Sequence, residues 1–226
     1  MADRFFTPDA ITAGDFTLAG PESHHLAAVR RIGVGDSIVL FNGDGREYPA
    51  EVVGVGKKSV QLLVSEPRTV NRERTVPLWI ASAIPKGDRA DFLIEKLVEL
   101  GVARWTPIVA ERSVVRPKAD VVDKYARQVI EACKQCGRNV LMTADAPQSW
   151  PAFARRSDLP ERKRILHPNS ESSYSKSSLP TVVAIGPEGG FTDSELAFEG
   201  WERTGMGPTI LRIETAAIAV ASLQSV

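Results

Sequence analysis

The twelve residues from Ala184 to Glu195 read AIGPEGGFTDSE and concentrate features that could do chemistry. Just upstream, Thr181 to Ile185 (TVVAI) is a β-branched apolar run of strand type. Just downstream, Thr192 and Glu195 have the Thr-x-x-Glu spacing of a capping box that opens a helix. Gly186, Pro187, Glu188, Gly189 and Gly190 therefore form a strand-to-helix turn. Such a turn is either a tight connection that holds nothing, or a place where glycine lets a ligand approach the backbone. Phosphate on the helix N-terminus is the first ligand to consider. Glu188 argues against it, because a carboxylate in the middle of the turn repels a phosphate at close range. A cationic ligand, or a neutral one held by backbone groups, fits better.

Other chemistry-bearing residues are less pointed. Cys133 and Cys136 form C-K-Q-C, but a zinc site needs two more ligands, and His24, His25 and His167 are distant in sequence and lack ligand spacing. A redox pair would open a helix, whereas these lie late in a helical pattern, so both read as small core-facing residues and no metal is expected. No G-x-x-x-x-G-K-[ST] loop is present, which counts against a nucleotide-phosphate enzyme. Residues 111 to 138 carry seven basic against four acidic residues, a net of +3, which suits either a phosphate-facing patch or a solvated helix face.

Composition narrows the partners. With 28 Lys plus Arg against 28 Asp plus Glu, the chain has no global basic excess of the kind that marks many nucleic-acid binders. No apolar run of about 18 residues appears, so no membrane span is expected. The N-terminus MADRFFTPDA places acidic residues and Pro8 where a signal peptide needs an apolar core, so a cytoplasmic protein is expected.

The elements that must position the glycine turn follow from periodicity. Up to about Glu66 the runs SIVLFNGDG, EYPAEVVGV and SVQLLVSEP read as short strands of a small barrel or sandwich, with one helical piece at Ser23 to Arg31. The charged segment Arg68 to Arg74 marks a boundary between residues 1–70 and 74–226. Beyond it, strands and helices alternate. VPLWIASAI, WTPIVA, RILH, TVVAI and TILRI read as strands, and Asp88 to Leu100 reads as a helix with Phe92, Leu93, Leu97 and Leu100 inward. Val121 to Arg138, Asp193 to Thr204 and the closing TAAIAVASLQSV complete the helices of an α/β unit with a parallel sheet. On the second helix, Lys124, Gln128, Glu131, Gln135 and Arg138 fall on one polar face, opposite Tyr125, Val129, Ala132 and Cys136. Asn169 to Leu179 is Ser-rich and reads as a flexible loop.

The motifs GPEGGF (186–191), LRIETAAIA (211–219), EACKQCGR (131–138), EKLVELGV (95–102) and ERS (111–113), with SHHLAAVRRIGVGDSIVL near the start, resemble in this order the RsmE family. These are methyltransferases acting on N3 of a uridine in 16S ribosomal RNA. The resemblance implies an N-terminal PUA-like β-barrel for RNA and a SPOUT-type parallel sheet with a C-terminal trefoil knot. It further implies S-adenosylmethionine as cofactor and a homodimer that acts on 16S RNA or the small ribosomal subunit. By matching motif, the cofactor loops are His167 and Pro168, the turn Gly186, Pro187, Glu188, Gly189 and Gly190, and the stretch that contains Ile210, Leu211, Arg212, Thr215 and Ala216. A sulfonium cofactor carries no phosphate, so Glu188 is compatible with it. The sequence departs from the family pattern at Thr209, usually arginine, at Ile213, usually threonine, and at Arg30, usually leucine.

Methylation at N3 requires loss of the uracil imide proton, so a cation that stabilises the imide anion is the group to seek. Arg212 is the first candidate and Arg138 the second, while Glu214 would orient an arginine, take the proton, or serve as a helix N-terminal carboxylate. RNA contact falls to Arg30, Arg31, Arg112, Gln135 and Arg138. The rival reading is a catalytically inactive RNA-binding module of the same fold.

Overall fold

The computed structural model describes residues 3–117, 121–168 and 170–225. Its contacts divide the chain into two compact units, Met1–Glu73 with Cys133–Leu141, and Arg74–Ala132 with Met142–Val226. A single boundary in the Arg68 to Arg74 segment does not anticipate the return of Cys133–Leu141 to the first unit.

The first unit is a twisted sheet built from β1 (Asp3–Phe6), β2 (Gly14–Ala19), β3 (Ser37–Phe41), β4 (Arg46–Val55), β5 (Ser59–Val64) and β6 (Arg68–Thr69). The strand order is β1-β3-β4-β5-β2, with β6 paired to β4, and all pairs are antiparallel except β1 with β3. Alternation does the sorting. In β5, Val60, Leu62 and Val64 face the core while Gln61 and Leu63 face out. The helix expected over Ser23 to Arg31 is shorter and irregular: α1 (Pro21–His24) runs into a π-helical turn, His25–Val29, closed by Arg30 N donating to His25 O at 3.0 Å. Arg31 then takes a positive φ of 55°.

The returning segment is locked to this unit by charge. Arg138 is 3% exposed and its Nε donates to Glu73 Oε1 at 3.0 Å, while Lys134 Nζ pairs with Glu22 at 3.0 Å. Arg138 therefore does not share the exposed polar face of the preceding helix, because the chain turns at Gly137, whose φ is +85°.

The second unit contains β7 (Leu78–Ser82), α2 (Arg89–Glu99), β8 (Arg104–Val109), α3 (Val121–Cys136, whose last turn counts with the first unit), β9 (Thr143–Ala144) and β10 (Gln148–Ser149). It continues through α4 (Trp150–Ala154), β11 (Arg162–Leu166), β12 (Thr181–Ile185), α5 (Asp193–Leu196), β13 (Trp201–Thr204) and α6 (Ile213–Ser225). The sheet runs β10-β8-β7-β12-β11-β13 with β9 on β8, every pair parallel. Its central strands β7 and β12 are buried at every position, as expected for a parallel sheet covered on both faces.

Three expectations are corrected here. The long helix from Asp193 to Thr204 is only one turn, and the strand following it is Trp201–Thr204, paired to β11. TILRI is consequently not a strand: Gly207, at φ +103°, and Pro208 break the chain, and residues 209–212 form the loop that enters α6. Along α2 the buried stripe is Ala90, Leu93, Ile94, Leu97 and Val98, which leaves Phe92 at 47% exposure under the Lys96 ammonium. The Ser-rich stretch is also tied down. Ser173 bridges to Gly205, Tyr174 is buried, and Ser177 N donates to Gln224 at 2.8 Å; Asn169 lies outside the described residues.

Candidate cofactor cleft at the strand ends

Because β11 and β12 are parallel neighbours, Ile165 opposite Ala184, their C-terminal ends deliver two loops side by side. His167 and Pro168 follow β11, and the glycine turn follows β12. The third wall is the loop after β13, residues 206–212, with Ile213 and Ala216 from the first turn of α6. Together they line a cleft of about 400 Å³, within the usual range for a nucleoside-sized ligand, at the carboxyl edge where open parallel sheets take ligands.

Each glycine of the turn has its own reason. A Cβ on Gly186 would sit 2.9 Å from two ring carbons of Phe191, which is itself buried against Trp150 at a centroid distance of 4.9 Å. At Gly189 a Cβ would come within 3.0 Å of the Arg112 Cβ, and Gly190 holds φ at +69° while its N–H closes the turn onto Pro187 O at 2.8 Å. The capping box is formed: Thr192 accepts from Glu195 N, and Glu195 Oε2 accepts from Thr192 N at 3.0 Å. The other oxygen of this buried carboxylate accepts from Glu111 N at 2.9 Å, which fastens the ERS turn after β8 to the glycine turn.

These bonds count against phosphate. The amides of Gly190, Thr192 and Glu195 are already occupied by Pro187, Glu195 and Thr192, so no free nest of N–H groups faces the cleft from them. The apolar walls Leu166, Ile185, Phe191 and Ile213, combined with Glu188 and Arg112, suit a ligand with a flat base and both charge signs. S-adenosylmethionine has that composition.

Of the residues expected to hold the cofactor, the structure brings all but Thr215 to this cleft; Thr215 is exposed on α6 and absent from the lining. Arg212 is exposed at the cleft, with no ion-pair partner among the described residues. Glu214 is buried and does not line the cleft; its carboxylate pairs with Arg89 at 3.2 Å. Arg112, expected to meet RNA, is a cleft residue and donates from Nη1 to Gly189 O at 3.0 Å. Arg30, Arg31, Gln135 and Arg138 belong to the first unit, where Arg30 pairs with Asp3 and Arg31 and Gln135 are exposed. Much of the basic excess in 111 to 138 is neutralised, with Lys124 on Asp91, Lys134 on Glu22 and Arg138 on Glu73; Lys118 and Asp120 lie outside the described residues. Cys133 is buried and Cys136 half-buried, and neither is in a disulfide. Sequence reasoning missed Leu166, Ile185, Met206 and Gly207 as lining residues, because nothing in their type distinguishes a wall from a core.

Fold and cleft together define an RNA-methyltransferase domain combined with a PUA domain. A family model described as RNA methyltransferase domain matches residues 72–225, and one described as RNA methyltransferase PUA domain matches residues 18–65. The chain is 33% identical to ribosomal RNA small subunit methyltransferase E of Bacillus subtilis, over 93% of this chain and 89% of that one. A structure from Legionella pneumophila, solved with the bound cofactor SAM, superposes with a TM-score of 0.90 at 34% identity, covering 98% and 96% of the two chains. The small subunit methyltransferase E of Neisseria gonorrhoeae, bound to S-adenosyl methionine, gives 0.89 at 30% identity, covering 98% and 96%. The chain belongs to the ribosomal RNA small subunit methyltransferase E family.

Proposed function

We propose that this protein methylates N3 of a uridine in 16S ribosomal RNA of the small subunit, with S-adenosylmethionine as donor. The observation that carries the reading is the mixed-polarity cleft at the strand ends, built within residues 72–225 that match the RNA methyltransferase model. Within this proposal, residues 1–70 form a PUA-like β-barrel that meets RNA. Residues 74–226, apart from the segment 133–141 that returns to the first unit, form a SPOUT domain whose C-terminal part is threaded into a trefoil knot. The working form is a cytoplasmic homodimer; Leu223 on α6 and Ile210 in the cleft loop are exposed apolar side chains that suit burial against a second copy.

When bound, the cofactor supplies an electrophilic methyl group on a sulfonium. The chain's own residues do the rest. His167, Pro168, the glycine turn and the backbone of residues 210–212 would hold the cofactor, and Phe191, Ile213 and Ala216 supply dry walls for it. The guanidinium of Arg212, with no carboxylate partner among the described residues, stabilises the negative charge that the uracil ring acquires as its imide proton leaves. Glu214, held by Arg89, orients the first turn of α6 instead of taking that proton. Arg138, held by Glu73, braces the first unit, and Arg31 and Gln135 remain as its RNA contacts.

Mass spectrometry of 16S RNA from cells with and without the gene tests the proposal. A 3-methyluridine present only with the gene supports it. Identical RNA from the two strains, with S-adenosylmethionine still bound by the protein, would overturn it.

A further inference from the structure

Arg112 stands between two turns that Glu195 also joins. On one side, Ala110 N donates to Ser113 Oγ and Ser113 N to Ala110 O, so the turn carrying Arg112 is internally closed, and Glu111 N is fixed to the buried Glu195 carboxylate. On the other side, Arg112 Nη1 donates to Gly189 O, and its Cβ fills the space that a side chain at Gly189 would need. The side chain is exposed at the cleft mouth, and that bond uses one of five guanidinium N–H groups. The residues that follow, Val114 at 64% exposure and Arg116, also face solvent. A planar fork held at one nitrogen by a single exposed bond keeps its other N–H groups available for bidentate contact with an oxyanion, and a ligand on either side orders it further.

We infer that Arg112 is a positioning residue that couples the two ligands: it sets the glycine turn for the cofactor through Gly189 and offers its outward N–H groups to a phosphate of the substrate RNA. The inference rests on the proposed rRNA methylation. Either ligand, by fixing the guanidinium, lowers the ordering cost of the other, so binding of the two is reciprocal and positive. A phosphate contact alone would weaken RNA binding and leave the cofactor untouched.

The test uses the full-length protein, S-adenosylmethionine, and small ribosomal subunits from cells lacking the gene. Calorimetry without RNA is expected to show cofactor binding weakened about tenfold in Arg112→Ala, the scale of one charge-assisted hydrogen bond. Arg112→Lys, which keeps a donor in reach of Gly189 O, restores most of that affinity but not the planar fork. In the wild type, saturating cofactor tightens subunit binding several-fold. In Arg112→Ala that enhancement is lost, with thermal unfolding unchanged because the side chain is exposed. Unchanged cofactor affinity in Arg112→Ala, or an enhancement of subunit binding that survives the substitution, overturns the inference. If the wild type binds cofactor but leaves the RNA unmethylated, the proposed function falls while the cofactor measurement still judges Arg112.

Discussion

Gly186→Ala isolates one contact at the base of the cleft. The φ of Gly186 is not positive, so alanine meets no backbone penalty, and the whole effect comes from a Cβ placed 2.9 Å from Cδ2 and Cε2 of Phe191. That ring cannot swing aside freely, since it is 5% exposed and packs tilted against Trp150 at a centroid distance of 4.9 Å, Trp150 being itself fully buried. Overpacking of this kind costs about 1–3 kcal/mol. For a chain of this size each kcal/mol moves Tm by about 2–4 °C, so a loss of roughly 2–12 °C is expected. Phe191 also lines the cleft, so S-adenosylmethionine binding weakens with it. The assay is a double-mutant cycle by thermal unfolding with Phe191→Leu, which removes the ring edge. The double variant is expected to recover about 1 kcal/mol or more relative to the sum of the singles. Gly190→Ala is the contrast: nothing lies within 4 Å of its Cβ, but φ is +69°, so it costs about 1–2 kcal/mol of backbone strain that Phe191→Leu does not relieve. Strictly additive losses for Gly186→Ala and Phe191→Leu would refute the steric account.

Arg212→Ala is expected to slow single-turnover methylation about a hundredfold or more while cofactor affinity holds, since the guanidinium is exposed and binds no carboxylate among the described residues; joint loss of affinity and stability, with normal activity per bound cofactor, would reject the assignment. In the first unit, burial pushes the Glu47 carboxyl up, but hydrogen bonds from Arg72 and Arg4 outweigh it and hold it below its ordinary range. Its stabilising effect is therefore full above the unfolded pKa of about 4.3 and is lost as pH falls through the lower folded value; Glu47→Gln should flatten acid unfolding of this unit, and an unchanged profile would show that the pair contributes nothing. Light scattering is expected to give a dimer at micromolar concentration, weakened by Leu223→Glu; a fully active monomer would exclude the homodimer.

Some of this protein is legible in local chemistry. TVVAI, the capping box at Thr192 and Glu195, and the short strand in SVQLLV each depend on residues within a turn or two of one another, and the structure forms all three as read. The argument against phosphate was already present in Glu188, and the occupied amides of Gly190, Thr192 and Glu195 supply its structural counterpart. Motif order also identifies the family, because GPEGGF and LRIETA come from separate stretches that only a shared cleft has reason to combine. What local pattern misjudges is where long-range pairing competes with it. WERT joins β11 as a strand although its surroundings look helical, and TILRI, which has strand composition, becomes a loop once that sheet edge is taken. Ionic partners are further from view. The spacing of Lys124, Gln128, Glu131 and Gln135 extends to Arg138, yet Glu73, some sixty residues upstream, draws that arginine into the first unit. Arg89 takes Glu214 in the same way from across the sequence, and Gly189 recruits Arg112. A charged side chain states what it could bind; which partner it meets is set by the chain's return path, and only the tertiary structure contains that path.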